Sequence, residues 1–280
     1  MILILFVLFN LVISPRPTII AYFAFFDDAY NSTMNVSNKI PWAIFDRIII
    51  SFAILDGRGN LTNEHPSDNA KIRHIQALYK KSRPDGQIYI SNYGDDTYRY
   101  LYAANHSDVF SASVLRYLKR YNMNGFDLDW ETGMINRYSS ELVTLITSCD
   151  QVFNTKYKIT HAIWPYVHDP GTVGLLADIV DEINIMTYQY DMNSIEALIK
   201  QYNGKGFPYE KMVLGIETES ERETKGTIAD KIRLINKYNM SGLFLWRLDN
   251  DGIVRDDNDT IVGPPTFRTT WMLYDVLHRL

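Results

Sequence analysis

Three acidic side chains alternate with apolar ones in the stretch NGFDLDWE, residues 124–131. In a β-strand, residues i, i+2 and i+4 share one face, about 6–7 Å apart, so Asp127, Asp129 and Glu131 would lie side by side. Like charges held this close and away from water raise the pKa of at least one carboxyl, which then keeps its proton near neutral pH. A protonated carboxyl beside ionised ones predicts acid–base chemistry on a leaving group. The alternative is a buried structural acid cluster, although no arginine lies in this stretch to pair with it.

Eight short β-rich runs could form the sheet that positions these acids. Most of them are apolar on both faces, as parallel strands covered by helices are. The predicted strands span residues 18–26, 47–55, 87–92, 125–130, 158–164, 182–188, 212–217 and 242–246.

Amphipathic runs with helical spacing lie between the strands. The predicted helices span residues 67–82, 107–121, 141–153, 171–180, 194–202, 227–238 and 266–280. This alternation predicts an α/β protein, a (β/α)₈ TIM barrel forming a single domain over residues 17–280. An open doubly wound sheet is the rival fold, but the AYFAFFDDAY segment lacks its glycine-rich phosphate loop. Catalytic groups of TIM barrels lie at the C-terminal ends of strands, where the fourth predicted strand brings the acids.

The composition excludes several classes of protein. The chain has 280 residues, 46% apolar and 22% charged, which is typical of a globular domain. A net charge of −5 without a basic stripe argues against a nucleic-acid partner. Cys149 is the only cysteine, so no disulfide framework is expected, and we predict a small core residue there. The six histidines show no metal-ligand spacing, and neither a metal nor a cofactor is predicted.

The N-terminus favours entry into the secretory pathway. Residues 1–16 form an apolar run that fits a signal peptide, although a basic start and an A-x-A cleavage site are missing. A retained anchor or a buried segment is the alternative. No further transmembrane segment is predicted. Six N-x-S/T sequons agree with a secreted or luminal glycoprotein: Asn31, Asn35, Asn60, Asn105, Asn239 and Asn258.

The stretch NGFDLDWE resembles the D-G-x-D-x-D-W-E signature of family 18 glycoside hydrolases, the chitinase family. INIMTYQ (183–189) is similar to the M-x-Y motif of this family, and GLFLWRLDND (242–251) to its eighth-strand tryptophan segment. IIAYFAFF and IIISFA are similar to its first two strands. The predicted seventh and eighth strands are joined by about 24 residues, which suits one ordinary barrel unit. We therefore expect a barrel without the α+β insertion of many chitinases, and a shallow, open cleft.

The resemblance implies a role for five side chains. Glu131 would be the general acid that protonates the glycosidic oxygen and then the base that activates water. Asp129 would hold the N–H of the 2-acetamido group of the substrate, which itself attacks the anomeric carbon. Asp127 would share a proton with Asp129, and Tyr188 would donate its hydroxyl to the acetamide oxygen. Trp246 would form the floor of the sugar site. Core packing is the alternative for Tyr188 and Trp246.

Further residues are candidates for substrate binding, and some depart from the family pattern. Tyr22 and Phe52, on the first two strands, could line sugar subsites or the core. Ser91 could hydrogen-bond Asp127, but its segment SNYG differs from the S-x-G-G of the family. Gln189 stands where Asp or Asn is common and offers an amide to a sugar hydroxyl. Asn124 replaces the first acid of the signature. The resemblance gives no role to Glu217 and Glu219, which could contact sugar or be solvated.

The implied function is hydrolysis of β-1,4 bonds between N-acetylglucosamine residues by a retaining, substrate-assisted mechanism, in a protein expected to be a monomer. Chitin, chitooligosaccharides and the chitobiose core of N-glycans are all possible substrates. The alternative is a glycan-binding lectin on the same barrel that has lost its catalytic acid. The presence of Glu131 favours the enzyme.

Overall fold

Eight parallel strands close into a barrel, as predicted, in a computed structural model that describes residues 16–26, 28–220 and 222–279. The strands are β1 (Thr18–Ala24), β2 (Arg47–Leu55), β3 (Leu61–Thr62), β4 (Gln87–Gly94), β5 (Gly125–Trp130), β6 (Lys158–Ile163), β7 (Glu182–Ile185), β8 (Met212–Glu217) and β9 (Gly242–Trp246). The barrel runs β1-β2-β4-β5-β6-β7-β8-β9, and the pairing of β1 with β9 closes it. The described strands therefore form a closed barrel rather than the open doubly wound sheet.

The strand β3 is an addition that the sequence pattern did not predict. It pairs antiparallel with the end of β2 through a tight turn. Asp56 holds this turn, because its Oδ1 accepts hydrogen bonds from the backbone N–H groups of Arg58 and Asn60, both at 2.8 Å. The hairpin extends β2 beyond the rim of the barrel.

Helices follow most barrel strands and cover the outside of the sheet. They are α1 (Asp28–Met34), α2 (Asp68–Ser82), α3 (Thr97–Asn105), α4 (Ser107–Tyr121), α5 (Ser139–Phe153), α6 (Pro170–Gly174), α7 (Met192–Gly204), α8 (Lys225–Tyr238) and α9 (Arg268–Leu277). Short 3₁₀ turns span Ser37–Lys39, Trp42–Ile44, Ile135–Tyr138, Tyr209–Lys211 and Leu248–Asn250. The helices α1 and α3 were not predicted, and α6 is shorter than the predicted run 171–180.

Asparagine ends three of the long helices. Asn122, Asn154 and Asn239 follow α4, α5 and α8 in the left-handed conformation, with φ of 50°, 46° and 53°. Asparagine tolerates this conformation better than most residues with a side chain. Each helix therefore stops where its loop turns back toward the next strand, which fixes the start of β5, β6 and β9.

Strand alternation divides the apolar side chains into two cores. The larger core packs the outward side chains of the strands against the helices, and it includes Cys149, which is buried as predicted. The smaller core lies inside the barrel and contains Ile20, Tyr22, Ile49, Tyr89, Val213 and Phe244. Because aromatic rings fill the interior, the barrel is a solid support for groups at its mouth.

The connection from β8 to β9 contains one helix, α8, which agrees with the prediction that the α+β insertion is missing. The predicted signal peptide, residues 1–16, lies outside the described residues except for Arg16, which pairs with Asp46. Within the described ranges, no helix is both long and apolar enough to cross a membrane.

Candidate active site

The strand β5 sends its acids inward and its apolar residues outward. Phe126, Leu128 and Trp130 belong to the outer core. Trp130 stacks on Tyr100, with ring centroids 4.7 Å apart and an interplanar angle of 8°. The buried stack fixes the end of β5, directly before Glu131.

Asp127 lies deepest of the three acids and is fully buried. Its Oδ2 accepts hydrogen bonds from Tyr22 Oη at 2.9 Å and Ser91 Oγ at 2.7 Å. Its Oδ1 accepts from Thr160 Oγ1 and from Asn184 Nδ2, the latter at 3.1 Å. Burial raises the pKa of Asp127, while the four donors lower it and thus favour the ionised form. Burial has the larger effect, so the pKa of Asp127 stays above its ordinary value, and four neutral donors hold this carboxyl in place.

Asp129 lies above Asp127, is buried, and its Oδ1 has no hydrogen-bond partner. Burial raises the pKa of Asp129 well above its ordinary range, and the charges of Glu131 and Asp127 raise it further. Glu131 comes next and lines the cleft. Burial also raises the pKa of Glu131, although a hydrogen bond with Asp129 opposes the shift. Two neighbouring carboxyls that resist ionisation can retain a proton near neutral pH.

Tyr188 follows β7 and lies close to these acids. Burial raises the pKa of its hydroxyl well above the ordinary value, and the charges of Asp129 and Glu131 add to the shift. The hydroxyl therefore stays a neutral hydrogen-bond donor. Gly215 on β8 makes room for the ring, because a Cβ there would lie 2.8 Å from Tyr188 Cε1 and 2.9 Å from the Ile185 carbonyl oxygen.

Aromatic rings form the floor of the cleft. Trp246, at the end of β9, stacks on Phe52 with centroids 5.6 Å apart and contacts Tyr22 edge-on at 5.5 Å. Phe52 stacks in turn on Phe26 at 5.8 Å and packs against Tyr93 at 5.2 Å. The candidates Tyr22 and Phe52 thus combine core packing with contact to the cleft, which both of them line.

The cleft has a volume of about 800 Å³. In the ring of eight strands, β5 lies opposite β9, so that Glu131 faces Trp246 across the cleft. The first two strands form one end, and the loops after β6 and β7 form the other, where Trp164, Tyr166 and Tyr190 line the cleft. An aromatic groove with a few converging polar groups is suited to a saccharide.

The acidic residues after β8 are held by the protein. Glu217 Oε2 accepts from Ser220 Oγ at 2.6 Å and from Gln189 Nε2 at 3.4 Å. Gln189 Oε1 accepts from Arg222, so both ends of the Gln189 amide have protein partners. Glu219 pairs with Arg247 at 3.1 Å and lies outside the set of cleft-lining residues.

Two of the departures from the family pattern have structural roles. Asn124 Oδ1 accepts the backbone N–H of Ile88 at 2.9 Å and thus sets the start of β5 against β4. Gly94, the remaining glycine of SNYG, leaves space for Tyr100, because a Cβ there would lie 2.7 Å from that ring. Neither residue lines the cleft.

Sequence reasoning missed two donors to Asp127, Thr160 and Asn184. Both are buried polar residues: Thr160 follows Ile159 in KITHAI, and Asn184 lies between Ile183 and Ile185 in EINI. Thr160 pairs in register with Asp127 on the neighbouring strand. A polar residue at an inward position level with Asp127 was therefore the signal that could have indicated a hydrogen-bond donor.

The six sequons lie on the surface to different degrees. Asn31, Asn35, Asn105, Asn239 and Asn258 are exposed. Asn60 is half-buried, and its amide donates to Asp56 at 3.2 Å. In the described parts of the chain, no group of three His, Cys, Asp or Glu side chains could hold a metal ion.

Known proteins resemble this chain in fold. The family model of Glycosyl hydrolases family 18 matches residues 18–225. A class V chitinase from Nicotiana tobaccum, solved as a mutant in complex with NAG4, gives a TM-score of 0.75 at 16% identity, covering 93% of this chain and 99% of that one. A chitinase from Bacteroides thetaiotaomicron gives 0.75 at 16% identity over 95% and 96% of the two chains. A chitinase-like agglutinin, RobpsCRA from Robinia pseudoacacia, gives 0.69 at 17% identity over 93% and 98%. No curated protein matches the sequence.

The family match covers most of the barrel and includes β5 with its acids. The chain therefore belongs to family 18 of the glycosyl hydrolases and is a chitinase-like glycoside hydrolase.

Proposed function

We propose that the protein hydrolyses β-1,4 bonds between N-acetylglucosamine residues with Glu131 as acid and base. The series of carboxyls formed by two residues of β5 and the residue directly after it carries this proposal. Asp127 receives four hydrogen bonds, Asp129 is buried without a partner on Oδ1, and Glu131 reaches the cleft. The most accessible acid has a raised pKa and is thus suited to donate a proton.

In the proposed first step, Glu131 transfers its proton to the glycosidic oxygen as the bond to the anomeric carbon breaks. The acetamide oxygen of the same sugar forms the new bond to this carbon, which gives an oxazolinium ion. Asp129 accepts a hydrogen bond from the acetamide N–H and stabilises the positive charge. Tyr188 donates to the acetamide oxygen and orients it for attack.

In the second step, the Glu131 carboxylate takes a proton from water as the water oxygen bonds to the anomeric carbon. The bond from this carbon to the acetamide oxygen breaks, which restores the 2-acetamido group. Two displacements at one carbon retain its configuration. Asp127 shares a proton with Asp129 and stays fixed by its four donors. Trp246 supports the sugar from below through its indole face.

The aromatic cleft and the NAG4 complex of the Nicotiana chitinase support an N-acetylglucosamine oligomer as substrate. Chitin, its oligosaccharides and the chitobiose core of N-glycans share this unit. The protein would act as a monomer in the secretory lumen or outside the cell. The exposed sequons agree only with its being a glycoprotein.

The test is turnover of fluorogenic chitooligosaccharides in parallel with release of glycans from a high-mannose glycoprotein. We expect hydrolysis of at least one substrate, with retained configuration in the first product. Glu131→Gln should lose this activity and keep oligosaccharide binding. No turnover of either substrate would reject the hydrolase proposal.

A lectin is the second candidate, because an agglutinin shares the fold. Glu131 argues against it, since a binding protein does not need an acid with a raised pKa at its cleft. Binding without turnover, unchanged in Glu131→Gln, would favour the lectin.

A further inference from the structure

A buried ion pair joins Lys231 of α8 to Glu223, which precedes this helix. Lys231 Nζ lies 2.6 Å from Glu223 Oε1, and neither residue lines the cleft. We propose that this ion pair positions the hydroxyl of Tyr188 for the reaction, acting through the backbone carbonyl of Gly215. This inference rests on the proposed function and adds two positioning residues to the site.

The stability of the fold does not by itself account for this ion pair. The side chains of Lys231 and Glu223 are only 3% and 7% exposed, and burial lowers the pKa of Lys231 although the charge of Glu223 opposes the shift. Apolar residues of similar volume stabilise a fold as well as, or better than, a buried ion pair. Glu223 is also held by Thr227, whose Oγ1 donates to Glu223 Oε2 at 2.7 Å. The pair therefore has one fixed geometry, and Lys231 has a further partner on β8.

That partner is the carbonyl of Gly215, at the point where β7 no longer covers β8. The pairing of β7 with β8 ends one residue before Gly215, whereas β8 continues beside β9. Two side chains donate to the Gly215 carbonyl oxygen there, Lys231 Nζ at 2.8 Å and Thr187 Oγ1 at 2.9 Å. Thr187 is fully buried and directly precedes Tyr188 in the chain. The shared oxygen thus connects α8 to the segment that carries Tyr188.

The ring of Tyr188 also packs on Gly215. A Cβ at Gly215 would lie 2.8 Å from Tyr188 Cε1, so the ring lies directly against the backbone of this residue. Tyr188 is therefore supported twice by Gly215, through its ring and through the hydroxyl of the preceding Thr187. A hydrogen bond from an ammonium group is stronger than one from a neutral hydroxyl, so Lys231 is the stronger of the two donors that fix the Gly215 carbonyl.

Joint replacement of the two charges separates positioning from stability. Combining Lys231→Met with Glu223→Leu leaves no buried charge unpaired and should retain most of the stability. We expect kcat for a chitooligosaccharide nevertheless to fall about tenfold, because misplacing an orienting group by about 1 Å costs about 10²-fold and a smaller shift is expected here. In a Tyr188→Phe background, the same joint replacement should cost no further activity, because the hydroxyl that it displaces is absent.

A second buried ion pair provides the matched control. Arg47 and Glu182 pair with side-chain exposures of 9% and 14%, and they lie at the starts of β2 and β7, at the end of the barrel away from the cleft. Combining Arg47→Met with Glu182→Leu should leave kcat within about twofold, because it removes a similar pair far from Tyr188. Equal losses of kcat on removal of either ion pair would overturn the inference. Losses that multiply with that of Tyr188→Phe would overturn it as well.

The position of the Tyr188 ring can also be measured without catalysis. In NMR spectra of protein with isotope-labelled tyrosine rings, the Tyr188 signal is the one that Tyr188→Phe removes. Removal of the Lys231–Glu223 pair should shift this signal, whereas removal of the Arg47–Glu182 pair should not. If the unsubstituted protein cleaves no substrate, the proposed function fails, and the shift still supports the positioning of Tyr188 by the pair. A signal that does not move would overturn the inference even if hydrolysis is confirmed.

Discussion

The substitution Gly215→Ala should impair catalysis from outside the cleft. The added Cβ would lie 2.8 Å from Tyr188 Cε1 and from Phe244 Cζ, and 2.9 Å from the Ile185 carbonyl oxygen. The carbonyl belongs to β7, so relief of that contact strains the barrel backbone, whereas relief of the contact with Tyr188 requires its ring to move. To reach an ordinary contact of 3.4 Å, it must shift by at least about 0.6 Å.

A shift of this size has a calculable effect on rate and stability. Misplacing a reacting or orienting group by about 1 Å costs about 10²-fold, so we expect kcat to fall about ten- to a hundredfold. Overpacking in a close-packed interior should lower the free energy of unfolding by about 1–3 kcal/mol. The assays are steady-state hydrolysis of a chitooligosaccharide and urea unfolding. Gly204→Ala, in α7, is the control, because its Cβ would meet open space.

A double mutant separates the hydroxyl of Tyr188 from general damage. Tyr188→Phe alone should lower kcat about 10²-fold, as loss of one positioned donor does. In that background Gly215→Ala should cost little further activity, because the hydroxyl it displaces is absent. The loss of stability should remain. The reasoning would be refuted if the kcat losses of the two single mutants multiply in the double mutant, or if Gly215→Ala alone loses no activity.

Three further predictions concern buried charges. Burial raises the pKa of Asp129, so protonation of Asp129 stabilises the fold below its ordinary pKa, and this stabilisation is lost as pH rises through the pKa of the folded state. In thermal melts from pH 4 to pH 8, the Tm of Asp129→Asn should therefore rise relative to that of the unsubstituted protein. A constant difference in Tm would contradict this. Lys231→Met should lower the free energy of unfolding in urea by about 3–5 kcal/mol, because Glu223, which pairs with Lys231 at 2.6 Å, is left buried without its cation. Combining Lys231→Met with Glu223→Leu should recover most of the loss. Burial lowers the pKa of His161 to about 3 and of His168 to about 4. The free energy of unfolding should therefore fall below about pH 6.5, by up to about 1.4 kcal/mol per pH unit for each histidine. The Tm of His161→Phe should depend less steeply on pH in this acid range.

The barrel could be predicted from sequence because its strands are short, apolar and evenly spaced. All eight predicted barrel strands are present, and alternation correctly placed Asp127 inward and Trp130 outward. The alternation of residue types within each single strand decides these features. The hairpin strand β3 and the helix α3 escaped prediction because each is short and carries few apolar residues in a periodic pattern.

The site could be predicted only in part, because its support comes from distant strands. The acids of β5 stand together in sequence, whereas Asn184 and Thr160 reach Asp127 from β7 and β6. Gly215 has no chemical signature at all, and its importance follows from the ring of Tyr188 above it. Such contacts are set by closure of the barrel rather than by spacing along the chain.

The distribution of tryptophans allows ligand binding to be followed by the intrinsic fluorescence of the protein. Trp246 and Trp164 line opposite parts of the cleft, whereas Trp42 and Trp130 are buried and Trp271 lies on the outer surface of α9. A saccharide that covers the two cleft indoles should alter their fluorescence against a constant background from the other three. Because the two indoles line different parts of the cleft, titrations of Trp164→Phe and Trp246→Phe can follow occupancy of each part in unlabelled protein.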